Sequence, residues 1–367
     1  IIGDTAYFPA AQTARALGWY AAEDRSLAAI SPTDGVCALN RVFGVNELSE
    51  IIAYTAAHSS PEEGSLTADA CTAVKDKWRY ELVGSEEDND MTNPYIAEKI
   101  NSVNAAAQSV WNTLIKEDGQ TELFSGDNTV TTADMTAVYR KLYSMVLGYG
   151  TPGAGLYHND ELKNDILYAI EWLYRNRYGE AEMNGTGWHS TSGYNWWDWK
   201  IGSPINLVKS LLIMEDDLTA AEIKNYLALF DKLVPVPYGT GSNALNTAQL
   251  AIGSALLQND GEKVIKMQTA VEDVYLYVDN GRNRGEGFYT DGSYVFHGSH
   301  PMNGTYGMEQ LQLTGPFVAM FAGTPFEITT PQVDNVTQWV FDAFNPLVYR
   351  GAMFRMVKGR YPRGMHN

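Results

Sequence analysis

The 367-residue sequence predicts an all-α fold of paired helices, and three observations carry that expectation. Apolar side chains recur at i, i+3, i+4 spacing in one segment after another, so each reads as an amphipathic helix. No stretch reads as a hairpin of alternating polar and apolar residues, and no strand alternates with helix as in a parallel sheet. Between the helical segments lie long connections rich in glycine, asparagine and aromatics, of the kind that carry function on a rigid scaffold. Helix pairs joined this way are expected to build an incomplete α/α toroid, with a cleft formed by loops at one end.

Residues 1–36 read as irregular, with a short helix expected around Ala10–Ala22, and a helical pattern follows from Leu39 to Ala57 through Val42, Val45, Leu48, Ile51 and Ile52. The stretch 1–74 is thus expected to be an N-terminal extension, partly helical, and 75–367 the main helical domain. Thr67 can cap a helix running through Val74, Trp78 and Leu82 to Gly84, and the acidic run Ser85–Asp90 is a solvated connection. Residues 94–116 set Ile96, Ile100, Val103, Ala107, Val110 and Leu114 on one face. Thr132-Ala-Asp opens a helix through Met135, Val138, Leu142 and Val146, closed by Gly148. Residues 159–177 end in Arg175 and Arg177, cations suited to a helix C-terminus. Further helices are expected near 204–215, 219–233, 244–258, 261–277 and 332–347, and the loops at 148–158, 183–203, 235–243 and 280–305.

Charged residues make up 19% and hydrophobic ones 45%, ordinary for a globular domain, and no apolar run approaches the ~20 residues that span a bilayer. A net charge of −18 argues against nucleic acid, and a polyanionic ligand would need a locally basic groove. Cys37 and Cys71 allow either one disulfide or two buried thiols, and no cysteine or histidine spacing is of metal-binding type. The wealth of Tyr, Trp, Asn and Thr resembles that of secreted bacterial carbohydrate-active proteins, in which the sequons at Asn184, Asn303 and Asn335 carry no meaning. A secreted monomer is expected.

Four loops carry chemistry. In GEGFYTDGSYVFHGSHPMNGTYG (285–307), His297 and Tyr306 form a candidate proton-transfer pair, with His300 as the competing histidine; a packed aromatic loop with merely hydrogen-bonded histidines is the alternative. In NWWDWKIGSP (195–204), Trp196, Trp197 and Trp199 cannot all face inward from one helix, so a mixture of core and presented rings is expected beside Asn195 and Lys200. In PVPYGTGSN (235–243), Asn243 is either an N-cap or a neutral donor to a carboxylate. The C-terminal Arg350, Arg355 and KGRYPR (358–363) gather positive charge in an acidic chain, as an anionic ligand requires or as a solvated tail would show.

In their order and spacing these motifs resemble the catalytic helical domain of the family 8 polysaccharide lyases, which include hyaluronate, chondroitin AC and xanthan lyases. The motifs are NWWDWKIGSP, TGSN (240–243), DGSYVFHGSHPMNGTYG (291–307) and YRGAMFRMVKGR (349–360), and the similarity covers about 75–367. The resemblance implies catalytic roles for Asn243, His297, Tyr306 and Arg360, and sugar-orienting roles for Asn195, Trp196 and Trp197. Lys200 stands where the family usually has an acidic residue or glutamine, Arg355 replaces a typical aspartate, and Arg363 comes one position earlier than the family's second arginine. β-Sandwich domains of the same parent protein are implied as partners outside this stretch.

The implied reaction is β-elimination on an anionic, uronic-acid polymer. Tyr306 removes the C5 proton and returns it to the departing oxygen, Asn243 offsets the growing charge on the carboxylate, and Arg360 lowers the phenol pKa. No metal or organic cofactor is required, although a structural calcium is compatible with this chemistry. Two other readings stay open. A glycoside hydrolase on the same scaffold would use two of Asp198, Glu286 and Asp291. A carbohydrate-binding helical domain would hold chains without cutting them.

Overall fold

The computed structural model describes residues 66–128, 131–184, 194–278 and 285–359, together with the backbone of four short strands before them, β1 (Tyr7–Pro9), β2 (Ala28–Ser31), β3 (Gly35–Ala38) and β4 (Val42–Gly44). It is mostly helical, as expected. The chain divides into two compact units, Thr67–Tyr238 with Asn246–Met267, and Ile1–Leu66 with Gly239–Leu245 and Gln268–Asn367.

The regular structure of the first unit is built of helices joined by irregular connections. Helix α1 (Ala68–Val83) starts where the Thr67 hydroxyl accepts the Ala70 N–H at 3.2 Å and stops at Gly84, whose φ of 73° only glycine adopts cheaply. Helix α2 (Pro94–Trp111) opens on Asn93, which accepts from Tyr95 N. Helix α3 (Thr132–Gly150) opens on a capping box of Thr131 and Asp134, one residue earlier than its sequence suggested. Asn159 caps α4 (Asp160–Asn176), the single turn α5 (Glu180–Met183) follows, and α6 (Ser203–Ile213) and α7 (Ala220–Leu233) come next, α7 with a Thr219/Glu222 capping box. Helix α3 packs on both α2 and α6. A methyl group on Gly148 would lie 2.4 Å from the Ala107 β-carbon, so the glycine is what lets α2 and α3 approach this closely.

The second unit centres on a three-stranded antiparallel sheet, β5 (Gly287–Phe288), β6 (Tyr294–Phe296) and β7 (His300–Pro301), with Phe288 opposite Tyr294 and Phe296 opposite His300. Its core is aromatic: Phe288 stacks on Trp339 at 4.2 Å, and Phe317, Phe321 and Phe344 are buried. The first turn of α8 (Gly241–Leu257), to Leu245, counts with this unit, and the remainder with the first.

Several expectations are corrected. The loop at 280–305 holds this sheet, whose strands of two or three residues are too short to show a period. Helix α10 (Met308–Phe321) is not among the expected helices; it runs through Gly315 and Pro316, with the proline inside it. Helix α9 (Gly261–Thr269) ends early, leaving a 3₁₀ turn at Glu272–Tyr275. The segment near 332–347 breaks into a 3₁₀ turn, α11 (Asn335–Trp339), a π-helical turn and a second 3₁₀ turn. Val42–Gly44, expected as helix, is a strand paired with Tyr7–Pro9, and Ala28–Ser31 pairs with Gly35–Ala38. The helices expected at Ala10–Ala22 and in the rest of Leu39–Ala57 lie outside the described residues. Cys71 is a free, fully buried thiol, and that burial pushes its pKa up, so the disulfide alternative falls. No helix among the described residues is long and apolar enough to cross a membrane.

One polar cluster is deep in the first unit. The buried Lys75 ammonium pairs with Glu215 and donates to Asn259 at 3.2 Å, while Arg79 donates to the other Glu215 oxygen at 3.1 Å. Replacing Glu215 by alanine strands a buried cation, which costs about 3–5 kcal/mol. Chemical denaturation of Glu215→Ala should show a loss of that size, and a loss under about 1 kcal/mol would mean that the lysine finds water instead.

Candidate active site

The three-residue turn His297–Ser299 joins β6 to β7. His297 adopts φ 49° and Gly298 φ 88°, left-handed values that cost a β-carbon-bearing residue energy and that the tight hairpin enforces. Held so, the exposed His297 ring places Nε2 3.1 Å from the Tyr306 hydroxyl, with the two ring planes at 88°. His300 does not share this place: its Nδ1 lies 3.0 Å from the His297 carbonyl oxygen. The pairing expected between His297 and Tyr306 is therefore made.

Tyr306 sits in a π-helical turn, Asn303–Gly307, that feeds straight into α10. Such wide turns re-aim a side chain that a regular helix would place elsewhere. Phe296 supports the tyrosine from behind, stacked at 4.4 Å and 21°. The buried Asn303 fixes the turn, its carbonyl accepting Tyr294 N–H at 3.0 Å and its amide donating to the Gly292 and Ala343 carbonyls at 2.9 and 3.0 Å. The sequon at Asn303 is thus an internal latch. A β-carbon on Gly359 would sit 2.9 Å from Thr305 Oγ1, so the chain just before Arg360 lies against the residue preceding Tyr306. Arg360 and Arg363 themselves lie outside the described residues.

Asn243 is in the first turn of α8, its backbone N–H bonded to Thr240 O at 3.1 Å, and is half-buried. Its position inside the helix removes the N-cap alternative. Gly241, at φ 52°, opens that helix against the same aromatic group, since a β-carbon there would come 2.5 Å from the Tyr294 hydroxyl and 3.1 Å from the Phe296 ring. The Tyr294 hydroxyl donates to Gln310 at 3.0 Å, and the Gln310 amide donates to Val274 O at 3.0 Å. Asn243, His297 and Tyr306 therefore lie in one unit, and the turn that opens α8 ahead of Asn243 packs on the aromatic group beside His297 and Tyr306.

The tryptophan loop lies in the first unit. Asn195 receives the Trp197 N–H on its side-chain oxygen at 3.1 Å, starting a turn that becomes π-helical at Asp198–Gly202. Trp199 is core, buried and stacked on Tyr178 at 5.1 Å, whereas Trp196 and Trp197 are half-exposed. Trp197 leans over Gly202, where a β-carbon would meet its ring at 2.6 Å. Tyr238, which sequence reasoning passed over, meets Trp196 edge-on at 5.3 Å and carries the Lys200 ammonium 3.8 Å over its ring. Its signal was an aromatic immediately before the Gly-Thr-Gly of 239–241. Arg350 takes φ 50° at the tip of the hairpin β8 (Val348–Tyr349) and β9 (Ala352–Met353), its guanidinium over the exposed Tyr349 ring at 5.3 Å.

The carboxylates of the hydrolase reading are all engaged. Asp198 is buried and accepts the Thr132 and Thr136 hydroxyls, both at 2.9 Å. Asp291 accepts Ser293 N–H and hydroxyl at 2.9 and 2.7 Å, bonds that lower its pKa. Glu286 accepts Thr240 Oγ1 and, at 3.2 Å, Gly298 N–H. No group of three or more His, Cys, Asp or Glu side chains suited to a metal ion occurs among the described residues.

The site and scaffold define an all-α domain bearing a hydrogen-bonded histidine–tyrosine pair and, in its other unit, an aromatic surface topped by a lysine. The chain belongs to polysaccharide lyase family 8: the model of that family's N-terminal alpha-helical domain matches residues 78–361. It is similar to the xanthan lyase of Bacillus sp. (strain GL1), 31% identical over 80% of this chain and 30% of that protein. The hyaluronate lyase of Staphylococcus aureus is 27% identical over 74% of this chain and 36% of its own length. Among solved structures, a Paenibacillus xanthan lyase aligns with a TM-score of 0.71 at 30% identity, covering 80% of this chain and 27% of that one. A Streptomyces coelicolor A3 chondroitin AC lyase aligns with a TM-score of 0.69 at 27% identity, covering 78% of this chain and 37% of that one. The chain spans about a third of the length of the curated relatives it matches.

The latch makes a test of local geometry. Asn303→Ala leaves three backbone groups unpaired in the interior, at about 1–3 kcal/mol each before relaxation. Thermal unfolding should show a drop of several degrees, and an unchanged midpoint would contradict the latch.

Proposed function

We propose that this chain is the catalytic helical part of a lyase that cleaves a uronic-acid-containing polysaccharide by β-elimination. The observation that carries the reading is the His297 Nε2 to Tyr306 hydroxyl hydrogen bond, made across a strained turn where a side-chain proton can change hands. Membership of a lyase family supports it.

The difficulty of the reaction is the acidity of a C–H beside a carboxylate. Removing the C5 proton loads a second negative charge onto that group unless donors offset it, and the Asn243 amide serves as such a donor. Tyr306 is the base. A phenol ionises near ~10, so it needs positive charge beside it, and Arg360 is assigned that role. His297 holds the phenolic oxygen and orients its proton. The electron pair left at C5 forms the C4–C5 double bond as the bond from C4 to the glycosidic oxygen breaks. Tyr306 then returns its proton to that oxygen, and no water is consumed.

Asn195, Trp196 and Trp197 are proposed to orient the sugar chain, the rings packing on C–H faces. Trp199 is core and is not available to a sugar chain. Lys200 is proposed to attract an additional acid group on the substrate, with Tyr238 holding the ammonium in place. The engagement of Asp198, Asp291 and Glu286 disfavours hydrolysis by a carboxylate pair.

Near-ultraviolet absorbance reports the 4,5-unsaturated uronate that elimination leaves. On the polymer that responds among xanthan, hyaluronan and chondroitin, Tyr306→Phe should lower kcat by roughly 10²–10⁴-fold with KM little changed. Full activity of Tyr306→Phe would remove it from the mechanism. Lys200→Gln should weaken preference for the more acidic polymer by about tenfold, corresponding to one lost charge contact. An unaltered ranking of substrates would discard the role of Lys200.

A further inference from the structure

We infer that Glu286 is a positioning residue that holds the Asn243 turn and the His297 turn in register, an inference that rests on the elimination reading above. Its two carboxylate oxygens divide between two segments far apart in sequence. One accepts the Thr240 hydroxyl and the other the Gly298 N–H at 3.2 Å. Thr240 is the residue whose carbonyl starts α8 and receives the Asn243 N–H at 3.1 Å. Gly298 follows His297 in the left-handed turn. One side chain thus pins the backbone on which the carboxylate-binding amide rides and the backbone that aims the imidazole.

Its own anchorage suits that task. Glu286 immediately precedes β5, whose Gly287 pairs with Val295, and the preceding Gly285 carbonyl accepts the Tyr289 hydroxyl at 3.0 Å. Neither partner segment is fixed by regular structure at its contact point: Thr240 lies outside α8 and Gly298 in a three-residue turn. Hydrogen bonds to a carboxylate are stronger than neutral ones, which suits a tie between two such segments. Glu286 needs no contact with substrate to act this way; it works through Asn243 and His297. Loss of register by an ångström is enough to cost a proton transfer about a hundredfold.

The test combines kinetics with a spectroscopic readout. Glu286→Ala should lower kcat about 10–100-fold with KM changed less, and Thr240→Val should reproduce part of that loss while Thr240→Ser restores it. In an Asn243→Ala background the further loss on adding Glu286→Ala should be smaller than in the wild type, because one of the two groups the residue acts through is already gone. In protein labelled with ¹³C,¹⁵N-histidine, the His297 ring resonances should move in both Glu286→Ala and Thr240→Val. If Glu286→Ala does not fold, Thr240→Val carries the same comparison. Wild-type kcat with unmoved His297 resonances, or losses that simply add to that of Asn243→Ala, would overturn the inference. A wild-type protein that makes no unsaturated ends on any uronate polymer, yet whose His297 signals move on substitution, would defeat the elimination reading and leave the positioning role standing.

Discussion

The three hydrogen bonds of Asn303 are the constraint on which the second unit depends. A buried amide that satisfies one N–H and two carbonyls at once ties the start of β6, the turn before it and the chain at Ala343 to the π-helical turn carrying Tyr306. Buried polar groups are costly when unmatched, so this fully matched one specifies a single arrangement. Around it the aromatic rings of Phe288, Tyr294, Phe296 and Trp339 interlock, with the exposed His297 and the half-exposed Tyr306 at their edge. The His297–Tyr306 pair lies at the open edge of this aromatic block.

Much of the helical scaffold was legible because its signals are local. Thr67 and Gly84 bound α1 as their chemistry dictates, and the apolar stripe through Leu142 and Val146 is buried as its spacing requires. What escaped was set by tertiary contact. Residues Met308–Phe321 hold a helix through Pro316 because Phe317 and Phe321 are buried and Gln310 is bonded to Tyr294 and Val274. The sheet of 287–301 consists of strands of two or three residues, which no periodicity can reveal. In the site, His297 and Tyr306 were visible as residue types nine apart, but their meeting depends on two left-handed residues and a π-turn that sequence does not announce. Asn303 reads in sequence as a meaningless sequon and Glu286 as a candidate catalytic acid; the hydrogen bonds that tie each to its neighbouring turns are visible only in the fold.

The acidic chain and the proposed anionic substrate are reconciled locally. With 26 basic against 44 acidic residues the global field repels a polyanion, and short-range groups have to overcome it. Lys200 is held over Tyr238, Arg350 over Tyr349, so each cation is steadied on an aromatic face. Such pairs hold a cation with its charge still available, and they are compatible with the sugar-packing role proposed for Trp196 and Trp197.

The account turns on a proton leaving C5 of a uronate toward Tyr306. The most direct measurement is the rate of unsaturated-product formation from polymer carrying deuterium at C5, compared with unlabelled polymer under kcat/KM conditions. The account predicts a slower reaction with the deuterated polymer and an ultraviolet-absorbing new end. Equal rates together with saturated new ends would contradict it.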